Sequence, residues 1–297
     1  MSRLSRRDFL KSTAAAAGVL AGGGLAAPVL AAKRSATDWV PLGNSGVKVT
    51  RLALGTGTFG GRIQRELGQE PFTRLVRHAY DRGIRFFESA DAYGDMHERL
   101  AAALRGIPRE SYKLMSKFRW REAGNPRATI DRLRQELNSD YLDILLLHSV
   151  RTPLWPEELK ALRDAFSEAK EKKIILSHGA SCHGLLPLRA FPGNNWLDVA
   201  LLRVNHDGTR MDSLRGDSNE KGDFNEVVSH IRKIHSQGTG VIGMKLIGEG
   251  RFTGAEQRDA SLKFVMNLGA VDAVTIGYKS TAEIDEAIER INAHLNA

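Results

Sequence analysis

Cysteine is almost absent from this chain of 297 residues, which contains only Cys182. A single thiol cannot pair within the chain, so internal disulfides are excluded. A cysteine-ligated iron–sulfur centre needs about four thiolates and is excluded for the same reason. A lipoprotein anchor is excluded as well, because Cys182 lies far from the N-terminal segment.

Long hydrophobic runs are also scarce, and the one near the N-terminus is weak. Residues 13–32 are rich in alanine and glycine and contain Pro28, which makes them a poor membrane-spanning helix. They follow SRRDFLK, residues 5–11, which has the twin-arginine pattern of bacterial export signals. We expect residues 1–31 to be a signal peptide recognised by the twin-arginine export machinery. The mature protein is then periplasmic, with no stable membrane anchor expected; an uncleaved anchor is the alternative interpretation.

Neither sign of charge dominates the sequence. It has 43 lysines and arginines against 35 aspartates and glutamates, and the basic residues are dispersed. A nucleic-acid-binding protein would concentrate its basic residues in a patch or stripe. We therefore expect an ordinary solvated surface and no nucleic-acid partner.

The glycine-rich fingerprint of dinucleotide-binding folds is missing too. Gly55-Thr56-Gly57 follows the first run with barrel-strand character, but it lacks both the third glycine and a helix directly after it. This counts against a doubly wound sheet, which remains the alternative architecture.

Short apolar runs alternate with amphipathic segments, which is typical of βα units and a parallel sheet. Eight strands are predicted, at Arg51–Leu54, Ile84–Phe87, Tyr112–Ser116, Leu142–Leu147, Ile174–Ser177, Val199–Val204, Val241–Met244 and Ala273–Ile276. Helices are predicted between and after them, at Glu70–Asp81, Met96–Leu104, Pro126–Leu137, Pro156–Lys172, Phe224–Gln237, Ala255–Asn267 and Thr281–Asn292. The pattern predicts one α/β domain over residues 32–297, a single (β/α)8 TIM barrel of roughly 250 residues.

Four side chains that can take part in proton transfer or hydrogen bonding come at or just after successive predicted strands. Glu88 and Tyr93 lie in FFESADAYG, residues 86–94. Lys117 follows YKLMS, and His148 follows LDILLL. The carboxyl ends of barrel strands meet at one face, where the active sites of this architecture lie. We therefore expect a carboxylate, a phenol, an amine and an imidazole to converge there.

Three segments resemble the aldo-keto reductase family. LGNSGVKVTRLALGTGTFGG (42–61) is similar to that family's entry hairpin and first strand. GIRFFESADAYGDMHERLAAAL (83–104) is similar to its second strand, tyrosine loop and next helix, and DYLDILLLH (140–148) to its DYxDLxxxH segment. The resemblance implies a barrel with an N-terminal β-hairpin that reduces a small carbonyl substrate, an aldehyde or ketone, with NADPH.

The same resemblance implies roles for the four side chains. Tyr93 is the expected proton donor, and Lys117 is expected to lower the phenol pKa from its ordinary value of about 10. Glu88 stands where the family has aspartate and is expected to hold Lys117. His148 is expected to hydrogen-bond the carbonyl oxygen and orient the substrate.

Cofactor contacts are implied as well, at Gly55, Thr56, Gly57, Ser181, Lys245, Lys279 and Ser280. Lys279 suits a 2′-phosphate, which favours NADPH. The acidic residues that follow it, Glu283, Asp285 and Glu286, leave NADH open. Their other interpretation is favourable charge at the start of a helix.

Three positions at the cofactor end differ from the family pattern. Cys182 replaces the amide that follows Ser181, Leu201 replaces a glutamine and Val204 replaces a stacking aromatic residue. Together with Glu88 and the export signal, these changes leave a second hypothesis open. In it, the barrel binds a nicotinamide cofactor or a small ligand as a non-catalytic accessory or sensing protein.

A metal site and the substrate loops complete the sequence predictions. Histidine and cysteine cluster in SHGASCH, residues 177–183, and His206 is a further acceptable ligand type. The spacing matches no strong zinc pattern, so we expect no metal. Asn205–Asp223 and Arg151–Trp155 are candidate substrate loops, although a long irregular stretch is equally consistent with a mobile surface excursion.

Overall fold

The computed structural model describes residues 33–122, 124–216 and 219–297. The predicted signal peptide, residues 1–31, lies outside them and stays a prediction. Residues 33–297 form one compact unit. Within the described ranges, no helix is long and apolar enough to cross a bilayer.

Eight strands form the barrel: β3 (Leu52–Gly55), β4 (Phe86–Glu88), β5 (Lys113–Phe118), β6 (Leu142–Val150), β7 (Ile175–Cys182), β8 (Val199–Arg203), β9 (Gly240–Met244) and β10 (Ala273–Gly277). They pair in parallel in the closed order β10-β3-β4-β5-β6-β7-β8-β9. The predicted (β/α)8 barrel is therefore confirmed. The strand ends differ, since β6 and β7 run on to Val150 and Cys182.

Helices surround the barrel: α1 (Arg62–Glu66), α2 (Gln69–Asp81), α3 (Met96–Leu104), α4 (Pro126–Glu136), α5 (Trp155–Glu158), α6 (Lys160–Glu171), α7 (Leu185–Leu188), α8 (Phe224–Ser236), α9 (Ala255–Asn267) and α10 (Thr281–Leu295). The prediction of one helix over Pro156–Lys172 is wrong, because Leu159 (φ −104°, ψ 20°) separates α5 from α6. Sequence analysis missed α1 and α7, which have five and four residues. Such short helices show no clear 3.6-residue period.

The predicted N-terminal hairpin is present and closes one end of the barrel. It consists of β1 (Trp39–Pro41) and β2 (Lys48–Thr50), which pair antiparallel. Leu42 lies in the turn of the hairpin and is buried in the cluster of apolar side chains inside the barrel. A Cβ atom on Gly43 would lie 2.3 Å from the Gly238 carbonyl oxygen, so only glycine allows the hairpin to approach β9 this closely.

Alternation of side chains along the strands positions the site. The inner cluster takes every second residue, among them Ala53, Phe86, Met115, Leu146, Leu201, Ile242 and Ala273. Residues two positions further on face the same way at the carboxyl end of the barrel. These are Gly55, Glu88, Lys117, His148, Arg203, Met244 and Thr275.

Candidate active site

A buried ion pair lies at the base of the site. The Lys117 ammonium donates to the Glu88 carboxylate and to the Ser89 carbonyl oxygen, the latter at 2.8 Å. The Thr275 hydroxyl donates to the second Glu88 oxygen at 3.1 Å. A Cβ atom on Gly55 would lie 2.9 Å from that oxygen, so glycine leaves room for it. The longer acid therefore reaches Lys117 and is held on both of its oxygens.

Tyr93 and His148 lie directly beside this pair. Tyr93 ends a short 3₁₀ turn, Asp91–Tyr93, after β4. Its ring centroid is 4.8 Å from the Lys117 nitrogen and 5.6 Å from the His148 ring centroid, with the two rings nearly perpendicular. The structure thus brings together all four side chains that the sequence predicted would converge.

The protonation states at the site follow from burial. Burial raises the pKa of the Tyr93 phenol well above its ordinary value, and the Glu88 carboxylate raises it further. The expected lowering of this pKa is not found, because burial and the Glu88 charge outweigh the attraction of the Lys117 ammonium, 4.8 Å from the ring centroid. The phenol therefore keeps its proton at neutral pH, as a proton donor must.

His148 is electrically neutral at neutral pH. Burial lowers the pKa of its imidazole well below the usual range, and the charges of Lys117 and Lys245 add to that effect. A neutral imidazole has one N–H to donate. It can hydrogen-bond a carbonyl oxygen, but it has no spare proton to give at neutral pH.

Gly57 sets the position of the Tyr93 hydroxyl. A Cβ atom at residue 57 would lie 2.5 Å from that oxygen. We expect Gly57→Ala to lower kcat about 100-fold by displacing the hydroxyl, since misplacements of about 1 Å can cost that much. Gly124→Ala is the matched control, because nothing lies within 4 Å of its Cβ position. A Gly57→Ala enzyme with wild-type kcat in steady-state assays would show that the hydroxyl position does not matter.

A chain of polar side chains supports the tyrosine turn from outside the barrel. Arg132 on α4 donates to the Asp91 carboxylate at 2.9 Å and also to Glu136. His97 on α3 bridges the other Glu136 oxygen, at 2.9 Å, and the Ser116 hydroxyl, at 2.8 Å. The pKa of Glu136 is lowered, chiefly by its hydrogen bond with His97.

This chain links the two elements that carry Tyr93 and Lys117. Asp91 begins the turn that ends at Tyr93, and Ser116 directly precedes Lys117 on β5. Sequence analysis missed the support, because Arg132 and Glu136 look like an ordinary exposed helix pair. The i,i+4 spacing of these two residues was visible, but their partners come from other elements.

A cavity of about 570 Å³ lies beside this cluster, and residues of β9, β10 and the two helices that follow them also line it. This volume is within the range of pockets for small molecules and cofactors. Tyr93 and Lys117 line one end, and Lys279, Glu283 and Arg290 line the other. The cavity therefore joins the polar cluster to the helix that begins after β10.

Only some of the predicted cofactor residues line this cavity. Gly55, Gly57, Lys245 and Lys279 line it, whereas Thr56, Ser181 and Ser280 do not. The Ser181 hydroxyl accepts from the Ser149 amide at 2.8 Å and is buried at the strand ends. Ser280 caps α10 by accepting from the Glu283 amide at 3.3 Å. The Thr56 hydroxyl is buried and has no hydrogen-bond partner among the described residues.

Lys245 lines the cavity from a strained turn. Its backbone is left-handed (φ 63°), as is that of Glu249 (φ 55°), and their side chains pair at 2.5 Å. Arg210 also pairs with Glu249. Burial, with the charges of Arg203 and Arg210, lowers the pKa of Lys245 to about 7. Glu249 and Arg210 were not singled out from the sequence.

The histidines weighed as metal ligands have other contacts. His178 stacks on Trp196 with ring centroids 4.5 Å apart, and His206 packs edge-on against Phe252. Cys182 is buried against Asp212. In the part of the chain that the structure describes, no group of three or more His, Cys, Asp or Glu residues is arranged to hold a metal ion.

Curated relatives match the chain in part. A Glycine max protein named "Probable aldo-keto reductase 1" is 28% identical over 170 residues, 51% of this chain and 49% of that protein. The versiconal hemiacetal acetate reductase of Aspergillus parasiticus is 32% identical over 177 residues, 48% of this chain and 52% of that protein. The chain thus spans about half the length of these curated relatives.

Solved structures share the fold over nearly the whole barrel. A Pseudomonas aeruginosa protein assigned as an aldo-keto reductase superposes with a TM-score of 0.70 at 23% identity, covering 88% of this chain and 98% of that one. The holo form of a Bacillus halodurans aldo-keto reductase gives 0.67 at 16% identity, covering 86% and 94%. At these identities the likeness supports the fold alone. The model of the Aldo/keto reductase family, however, matches residues 51–297. With most of its length matched by that model, the chain belongs to the aldo/keto reductase family.

Proposed function

We propose that this protein reduces an aldehyde or ketone with NADPH. Aldo/keto reductases are NAD(P)H-dependent oxidoreductases that act on small carbonyl compounds. The observation that carries the proposal is the Tyr93 phenol. Its protonated hydroxyl lies in a cofactor-sized cavity, beside the buried Lys117–Glu88 pair.

Each side chain has a role that its surroundings support. When bound, the nicotinamide supplies a hydride to the carbonyl carbon. The Tyr93 hydroxyl gives its proton to the carbonyl oxygen, and the nearby Lys117 ammonium stabilises the phenolate that remains. Glu88 keeps Lys117 charged and in place. The neutral His148 imidazole donates a hydrogen bond to the carbonyl oxygen.

The cavity suits a nicotinamide cofactor in size and in chemistry. Gly55 and Gly57 leave backbone open at the catalytic end, where side chains would fill the space. Tyr278 lines the cavity, and its hydroxyl is buried with no hydrogen-bond partner among the described residues. Near Lys279, Arg258 and Arg290 both bind Glu286, and Arg290 also pairs with Asp259, so the charges of these four side chains balance. The exposed Lys279 ammonium is therefore the group that favours a 2′-phosphate and hence NADPH.

The preference for NADPH predicts a selective effect at Lys279. This side chain is largely exposed, and its weak contact with Glu283, at 3.9 Å, leaves it able to bind a phosphate. We expect Lys279→Ala to raise the KM for NADPH about tenfold and to leave the KM for NADH within about twofold, as loss of one charge-assisted contact would. Lys263→Ala, on the exposed face of α9, is the control. An equal change in KM for NADPH and NADH would show that Lys279 does not bind the 2′-phosphate.

The test of the proposed reaction is simultaneous measurement of NADPH oxidation and alcohol formation from 4-nitrobenzaldehyde. The proposal requires equal amounts of both. Tight NADPH binding with no alcohol would instead favour the non-catalytic binding protein. The alterations at Cys182, Leu201 and Val204 make that protein the second candidate.

We also propose that the protein is exported to the periplasm by the twin-arginine route. The pattern at residues 5–11 supports this, and the route carries folded proteins, so cofactor can travel with the barrel. Replacing both Arg6 and Arg7 by lysine in the full chain is expected to leave the protein in the cytoplasm on cell fractionation. Arg3→Lys is the control. An unchanged periplasmic fraction in the double variant would exclude this route.

A further inference from the structure

Arg203 is a buried cation with unused hydrogen-bond donors. It ends β8, where it is only 3% exposed. Its Nε and Nη1 groups have no hydrogen-bond partner among the described residues. Buried donors of this kind are rare in native proteins and call for an explanation.

The side chain points into the mouth of the barrel. Leu201, two residues earlier on β8, belongs to the inner cluster, so Arg203 lies on the same side of the strand. Its neighbour on the adjacent strand β9 is Met244. Both Leu201 and Met244 line the cavity that contains Tyr93 and Lys117, whereas Arg203 itself does not. The unused donors therefore lie behind the cavity wall, next to the candidate active site.

One acid is near Arg203, but it does not satisfy the guanidinium. The Asp212 carboxylate lies 3.4 Å from Nη1, which is ion-pair distance without a hydrogen bond. Asp212 also accepts from the Gly184 amide at 2.8 Å and contacts the Cys182 thiol at 3.6 Å. The Asp212 carboxylate thus already has other partners besides Arg203.

Strand ends near β8 carry further basic side chains. Lys245 follows β9, and Arg151 follows β6; no acidic partner of Arg151 is found within the described ranges. His183 follows β7, and burial together with Arg203 and His148 lowers its pKa well below the usual range. Because Lys245 is already paired and its pKa is lowered to about 7, the positive charge here comes from the two arginines, and the imidazole is neutral.

We infer that Arg203 binds a carboxylate of the substrate, so that the compound reduced is an oxo acid, an aldehyde or ketone that also carries a carboxylate. The inference rests on the proposed reductase function and names its substrate class. A guanidinium presents two parallel N–H groups that match the two oxygens of a carboxylate. The phosphate-binding end of the cavity is a separate region, since Lys279 follows β10 and β9 lies between β10 and β8.

The test uses two aldehydes that differ mainly in charge: 4-carboxybenzaldehyde and its methyl ester. With the full chain and NADPH, we expect kcat/KM for the acid to exceed that for the ester at least tenfold. Equal values, or a faster ester, would overturn the oxo-acid assignment while leaving the reductase function intact. If neither compound is reduced, the proposed function fails, and the binding measurement below decides the carboxylate site alone.

Variants assign the effect to Arg203. Arg203→Met is expected to lower kcat/KM for the acid about 100-fold and for the ester less than threefold, as loss of a charge-assisted pair would. Arg203→Lys keeps the charge and is expected to recover part of the loss. Arg203→Met alone leaves the Asp212 charge unpaired and could prevent folding. The double variant Arg203→Met/Asp212→Asn removes both charges together, and the same two aldehydes can then be compared with it. A parallel loss for both aldehydes would mean that Arg203 does not bind the carboxylate.

Binding provides a readout that does not depend on turnover. Benzoate, titrated calorimetrically with and without NADP⁺, is expected to bind at least tenfold more tightly than benzamide, and Arg203→Met is expected to abolish that difference. Equal binding of benzoate and benzamide to the wild-type protein would overturn the inference.

Discussion

Replacing Tyr93 by phenylalanine lowers kcat for carbonyl reduction about 100- to 10,000-fold, the range that positioned general acids contribute. The hydroxyl is the only part of the side chain that changes, and the ring keeps its contacts with Lys117 and His148. NADPH affinity is expected to stay within about twofold, because the cofactor contacts along the cavity are untouched. Single-turnover kinetics and fluorescence titration measure the two quantities separately.

The matched control for this substitution is Tyr80→Phe. Tyr80 loses a hydroxyl that bonds Ser111 at 3.0 Å, in the helical layer away from the cavity. The kcat of the Tyr80→Phe variant is expected to equal that of the wild type. If Tyr93→Phe retained more than a tenth of wild-type kcat while Tyr80→Phe behaved normally, another group would have to be the proton donor.

Replacing Lys117 by methionine is expected to damage both catalysis and stability. The phenolate loses its nearby cation, which is expected to lower kcat at least about 100-fold. Glu88, which is 4% exposed, is left as a buried charge without its partner. The free energy of unfolding should fall by about 3–5 kcal/mol, as when one member of a buried ion pair is removed. Urea unfolding followed by circular dichroism measures this loss.

Adding Glu88→Gln to Lys117→Met separates the two effects. The double variant removes both charges and keeps a side chain that can still bond Thr275, so stability should return to within about 1–2 kcal/mol of the wild type. Activity should stay lost. Recovery of activity along with stability would mean that Lys117 matters only for folding.

Much of the barrel could be predicted, because it depends on local and repeated signals. Each strand is a short apolar run buried on both faces, and turn residues or polar helices bound it. The break at Leu159 could not be seen, since the amphipathic pattern continues from Trp155 through Glu171 without interruption. The short helices α1 and α7 lack the length needed to show a period.

The catalytic cluster could be predicted because its members end successive strands and match a family pattern in order. Side-chain alternation along β4, β5 and β6 then brings Glu88, Lys117 and His148 to the same mouth. The protonation of Tyr93 could not be predicted in the same way. It depends on burial and on the balance of the Glu88 and Lys117 charges, which requires coordinates.

Contacts between distant segments were also invisible in the sequence. Arg132 and Glu136 resemble a solvent-exposed pair until Asp91 and His97 are placed beside them. Arg203 resembles an ordinary residue at a strand end. Its two unused donors become visible only when its burial and the position of Asp212 are known, and they support the oxo-acid inference.

The most direct test of the reductase account is transfer of deuterium from NADPH labelled at both C4 positions. The full chain is incubated with 4-carboxybenzaldehyde or 4-nitrobenzaldehyde, and the alcohol is analysed by mass spectrometry. The account predicts one deuterium on the carbinol carbon of the product, and at least about 100-fold slower formation of that labelled alcohol when Tyr93→Phe replaces the wild type under the same conditions. An alcohol without deuterium, or labelled NADPH that binds and is never consumed, would contradict it.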